Sequence, residues 1–156
     1  MYAGPGPAIN PTPKSVRISP VTESDRAILE EMRGLLLHHH KVLLDWQRRE
    51  FEQAHGRLLM PKLLQTIVEH EDFSWLRAMS GLIVQIDEAL EADSAETPAD
   101  AAALLKSAGA LVTPVPETPY AARYHAALQA LPEAVMTHAA LVNLFKLRMP
   151  DARKPH

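Results

Sequence analysis

From Leu29 onward apolar residues return at helical intervals, and Leu29, Met32, Leu36, Leu43 and Ala54 fall in one narrow arc of a helical wheel. Thr22-Glu23-Ser24-Asp25 resembles a capping box with Asp in place of the usual Glu, so the first helix is expected to start near Thr22. No proline interrupts it before His55-Gly56, where the glycine suits a helix C-terminus. That makes roughly 30 residues, a spine of about 45 Å. A second, shorter helix is expected from Pro61 to about His70. A third, capped by Asp72, runs from Phe73 to about Ala92, with Trp75, Leu76, Met79, Ile83, Ile86 and Leu90 as its apolar stripe. Thr97-Pro98-Ala99-Asp100 opens a fourth, which runs to about Leu111. Thr113-Pro114-Val115-Pro116-Glu117 reads as a rigid loop, after which Thr118-Pro119 starts a fifth helix to about Leu131 and Pro132 a sixth to about Leu147.

No strand pattern competes, so the fold class is all-α: a bundle of five or six helices with one long N-terminal helix. Residues 1–21 hold five prolines and two glycines and read as a flexible, disordered proline-rich arm. Residues 22–149 form the expected single bundle domain, and 150–156 a frayed tail. Composition agrees with this picture: hydrophobic residues make up 47% of the 156 and aromatics only 5%, so Leu, Ala, Val, Ile and Met must build the core.

A formal net charge of −3 lacks the basic excess expected of a nucleic-acid or membrane-surface protein. The absence of cysteine excludes disulfides, thiolate metal sites and cysteine nucleophiles. The start, Met1-Tyr2-Ala3-Gly4-Pro5-Gly6-Pro7, has no signal-peptide character, and no apolar run approaches the roughly 20 residues that span a bilayer. A soluble, cytoplasmic protein is expected. Glycine-rich phosphate loops, nucleophile elbows and metalloprotease motifs are absent from the sequence.

Chemistry concentrates in His38-His39-His40, inside the first helix. Consecutive helical residues point about 100° apart, so the three cannot share a face. His39 and His40 flank the apolar arc, roughly 60° and 40° from Leu36, whereas His38 points away beside Lys41 and Asp45. Gln47 and Glu50 continue the polar seam, and Asp87 lies beside Ser80 within about 40° of Ile83 on the third helix. If the first and third helices pack antiparallel, Asp87 is placed to accept a hydrogen bond from His39 or His40. The seam then reads first as a structural network, second as a pocket for a small ligand, and third as a His–Asp acid–base pair. The candidates for metal ligands are His39, His40, Glu50 and Asp87, and those for an axial haem ligand are His39, His40 and His138, but no sequence signature supports haem and no cofactor is expected. Glu52-Gln53-Ala54-His55 has the spacing of a di-iron half-site but lacks the second motif such bundles need.

Leu141, Val142, Leu144, Phe145 and Leu147 spread nearly round the sixth helix, more than one face can bury, which points to a homodimer or another protein partner. Two stretches carry a resemblance: His40-Lys41-Val42-Leu43-Leu44-Asp45 with Arg49-Glu50-Phe51-Glu52 and His55-Gly56, and Asp72-Phe73-Ser74-Trp75-Leu76-Arg77 with Leu82-Ile83-Val84-Gln85-Ile86-Asp87-Glu88. Over residues 25–145 the chain resembles a family of small bacterial helical proteins with no established activity. The resemblance implies a bacterial, soluble, helical protein, and its motif positions His40, Asp45, Trp75, Arg77 and Asp87 overlap the polar seam. The expected function is a non-catalytic binding or regulatory module, with His39, His40, Gln47, Glu50, Trp75, Arg77 and Asp87 as candidate ligand-binding residues. The alternative is a ligand-, metal- or haem-binding protein that uses His39, His40 and Asp87.

Overall fold

A computed structural model describes residues 23–91 and 101–148. The proline-rich arm, the Thr97–Asp100 signature and the C-terminal tail lie outside the described residues. Among those described there are six α-helices, one 3-10 helix and no strand, so the protein is an all-α bundle.

The spine, α1 (Glu23–His55), is 33 residues long. It buries Leu29, Met32, Leu36, His39, Val42, Leu43, Trp46, Gln47 and Phe51, a stripe at three- and four-residue intervals. Its last carbonyls are closed by Gly56, whose φ of 93° lies in the left-handed region that an L side chain resists. The short α2 (Lys62–Glu69) follows and leans on a 3-10 helix, Glu71–Leu76.

That 3-10 helix corrects the sequence reading. The expected third helix begins not at Phe73 but at Arg77, and the cap is His70, whose Nδ1 accepts the Asp72 N–H at 3.0 Å. Phe73 and Leu76, three apart and both buried, suit the three-residue turn of a 3-10 segment, where such side chains eclipse. Next come α3 (Arg77–Glu91), α4 (Ala101–Val112), α5 (Pro119–Ala130) and α6 (Pro132–Arg148). For α5 the expected cap is in place: the Thr118 hydroxyl accepts the Ala121 N–H at 3.1 Å, with proline at the first helical position.

α1 packs most extensively against α3 and α6, and both run antiparallel to it. On the α3 side Arg26 donates to the Leu90 carbonyl at 2.7 Å, Arg33 pairs with Asp87, and Trp75 meets Gln47. On the α6 side Arg148 lies 3.5 Å from Glu31, and His39 meets Thr137. The core between these helices is aliphatic: Leu29, Met32, Leu36, Leu43, Met79, Ile86 and Leu141 are all fully buried. Two polar groups break it, and they define the sites below. No helix among the described residues is long and apolar enough to cross a membrane.

Candidate functional site

The first polar group starts from His39, which is fully buried. Its Nδ1 lies 2.5 Å from the Thr137 hydroxyl and its Nε2 lies 2.8 Å from the Tyr124 hydroxyl. Tyr124, also fully buried, reaches His138 Nδ1 at 2.8 Å. Thr137 has the carbonyls of Glu133 and Ala134 within 3.2 Å. When Thr137 donates to a carbonyl, it accepts the Nδ1–H of His39. Nε2 then accepts the Tyr124 O–H, and the tyrosine oxygen accepts from His138. Every member of this chain is thereby paired.

Burial dominates the titration of these groups. It lowers His39 from the ordinary 6.5 to about 4, with smaller contributions from His138, His38 and His40. Burial lowers His40 as well, and it lowers His138, where His125 adds to the effect. Tyr124 is raised by burial and then by Tyr120. The chain is a neutral, hydrogen-bonded structural network joining α1, α5 and α6.

This arrangement overturns one expectation. His39 does not meet Asp87, which pairs with Arg33. The antiparallel packing of α1 and α3 is as expected; the register is not. With Arg33 opposite Asp87 and Gln47 opposite Trp75, Asp87 sits nearly two turns before the level of His39. Of the remaining histidines, His38 is exposed as expected, 3.4 Å from Glu133, but His40, which the wheel puts nearer the apolar arc than His39, is only half-buried.

The second polar group starts from Gln47, only 3% exposed. Its Oε1 accepts the Trp75 indole N–H at 2.7 Å and an Arg123 N–H at 2.8 Å. Both partners are pure donors, so the oxygen must face them and the side-chain amide orientation is fixed. The Arg123 guanidinium also lies over the Trp46 ring, 4.6 Å from its centroid, and Trp46 meets Trp75 edge to face.

Above this group opens a cleft of about 530 Å³ between α1, the 3-10 helix and the start of α5. Gln47, Phe51, Trp75 and Arg123 form its floor, since each is buried or half-buried. Glu50 and Glu71, both exposed, and the half-buried Asp72 add carboxylates to its walls. Aromatic rings lead from it toward the histidine chain: Trp75 meets Tyr120 edge to face at 5.9 Å, and Tyr120 stacks on Tyr124 at 5.7 Å.

Of the residues singled out from the sequence, the structure therefore brings Gln47, Glu50 and Trp75 together at the cleft. It places His39 in the buried chain, with His40 half-buried beside it on α1. Arg77 stands apart: it donates to the carbonyls of Val68 at 2.7 Å and His70 at 3.2 Å, tying down the end of α2. Asp87 stands apart with Arg33. Glu52 and His55 do not form half of a metal site, since Glu52 accepts the Leu58 N–H and His55 stacks on Phe51 and bonds its carbonyl. No group of three potential metal ligands occurs among the described residues.

Sequence reasoning missed Arg123, Tyr124 and Thr137. Thr137 carried a signal, because it falls on the α6 stripe three residues after Ala134 and four before Leu141. Tyr124 did too, midway between the buried Ala121 and Ala127. Comparison with protein-family models, curated proteins and solved structures finds no match to this chain, so the functional reading rests on its own residues.

Proposed function

We propose that this chain is a non-catalytic binding module of the cytoplasm and that its ligand site is the cleft over Gln47. One observation carries the reading: the floor is fixed before any ligand arrives. Gln47 is held by Trp75 and Arg123, and Arg123 is held in turn over Trp46. A preorganised floor of this kind lowers the ordering cost of binding. The volume fits the range of roughly 300–1,000 Å³ typical of small-molecule sites, and aromatic walls with a few convergent polar groups are their usual lining. The metal or haem alternative has less support, because both ring nitrogens of His39 are already engaged and Asp87 belongs to Arg33.

The test is amide shift mapping of the 15N-labelled protein with a mixture of aliphatic amines, carboxylates and amino acids. Perturbations are expected over residues 47–54, 71–75 and 119–123. Shifts confined to other segments, or none, would sink the reading.

The homodimer expected from α6 belongs to the same proposal. Leu141 and Leu144 are buried and Val142 and Phe145 pack partly against the core, but Val135, Met136 and Leu147 are 47%, 71% and 79% exposed. Sedimentation equilibrium is expected to show a dimer that Met136→Lys dissociates; a monomer at all concentrations contradicts the pairing.

A further inference from the structure

The chemistry of the cleft is uneven in a way that selects a ligand class. Gln47 spends its oxygen on Trp75 and Arg123, and its –NH₂ group has no acceptor among the described residues. Its two N–H donors are therefore what this side chain, 3% exposed, has left to offer the cleft it lines. Arg123 adds the N–H groups not spent on Gln47. The floor thus offers donors and asks for an acceptor. The walls carry the opposite request, since Glu50, Glu71 and Asp72 are carboxylates that ask for a cation. Beside its donors the floor also carries the apolar rings of Phe51 and Trp75.

A simple anion satisfies the floor but meets three carboxylates on entry. A simple cation satisfies the walls but offers the floor's N–H donors no acceptor in place of the water it displaces. A molecule carrying both charges satisfies both.

We infer that the cleft takes an apolar α-amino acid or a short peptide in zwitterionic form. Its carboxylate is received by the Gln47 amide and Arg123, its ammonium by the carboxylates of Glu50, Glu71 and Asp72, and its side chain by Phe51 and Trp75. This deepens the cleft reading and rests on it. Arginine supports carboxylate recognition through its planar fork of donors, and an amide N–H alongside it adds direction. The volume exceeds what one amino acid fills, so peptides belong to the same chemistry.

The chain has two tryptophans: Trp75 lines the cleft and Trp46 lies beneath Arg123, so tryptophan fluorescence reports on the floor and its support. Titrations with L-leucine, leucyl-leucine, isopentylamine and 4-methylpentanoate separate the charges while keeping the apolar group. At least one zwitterion is expected to bind about tenfold or more tightly than either singly charged probe, and the better of the two tells free amino acid from peptide. Gln47→Glu retains an oxygen for Trp75 and Arg123 but replaces the –NH₂ donors with a second acceptor. It should cost the zwitterion about tenfold and spare isopentylamine.

Glu50 and Glu71 are exposed, so Glu50→Gln with Glu71→Gln tests the walls without loading the fold: zwitterion binding should weaken and 4-methylpentanoate binding should not. Equal affinity for a zwitterion and a singly charged probe, or no loss on removing the wall carboxylates, overturns the inference. If fragments still map to the cleft, the binding reading survives that result. If no probe moves the fluorescence and no fragment maps there, both fail.

Discussion

Acidification from about pH 7.5 to pH 4 is expected to remove about 3 kcal/mol of stability through His39 alone. In the folded chain burial holds its imidazole at about 4, whereas in the unfolded chain it returns to 6.5. The folded pKa is the lower one, so protons bind the unfolded state preferentially. The stabilisation is complete above about pH 6.5, falls as pH drops between the two values, and changes no further below about 4. His40 and His138 are also lowered and add to the loss with the same sign.

His39→Leu isolates the effect. It leaves no orphan, because Tyr124 can donate to His138 and Thr137 to the Glu133 or Ala134 carbonyl. Urea unfolding of both proteins across this range should show the variant with a distinctly flatter pH profile. Parallel profiles would mean that His39 protonates freely in the folded state and that its burial is not maintained.

How much of this was legible in the sequence differs by kind of information. Helix ends were legible wherever one residue carries a local constraint. Pro132 starts α6, Pro119 with the Thr118 cap starts α5, and Gly56 ends α1, each for a reason contained in a few neighbouring atoms. The inward face of α1 was legible too, because a period of 3.6 residues decides which side His39 takes. What it meets there was not. Thr137 and Tyr124 lie 98 and 85 positions away, and periodicity identifies a face without saying which helix lies against it or in what register.

Asp87 shows the limit most sharply. Its helix, its face and the antiparallel direction were all inferable, yet a displacement of nearly two turns gives it to Arg33 rather than His39. Glu50 shows a different limit, that of burial rather than register. It lies near the apolar arc of α1, but toward the end of that helix the bundle no longer covers the arc, and Glu50 and Ala54 emerge at the cleft. A wheel has no term for where a neighbouring helix stops.

Tyr124→Phe should cost about 2 kcal/mol at neutral pH, although it removes a single oxygen and no packing volume. The Tyr124 hydroxyl bonds two groups, His39 Nε2 and His138 Nδ1, at 2.8 Å each. Their fates differ once it is gone. His138 is half-buried and can turn to water, whereas His39 is fully buried and has no second partner for Nε2. The cost is therefore the desolvation of one stranded imidazole nitrogen rather than the sum of two hydrogen bonds. That distinction has a measurable consequence.

Made in a His39→Leu background, Tyr124→Phe strands nothing in the core, because both sides of the broken contact are then apolar. The double-mutant cycle should yield a coupling energy of about 1–2 kcal/mol between the two positions, measured by urea unfolding at pH 7.5. Additive losses would show that the two side chains stabilise the bundle by independent packing. A full-sized coupling would establish that α1 and α5 are held in register by the buried His39–Tyr124 hydrogen bond. Through Tyr120 and Trp75, the same series of aromatic contacts that ends on Tyr124 begins at the floor of the cleft. The register of the helices and the geometry of the candidate site then depend on the same few side chains.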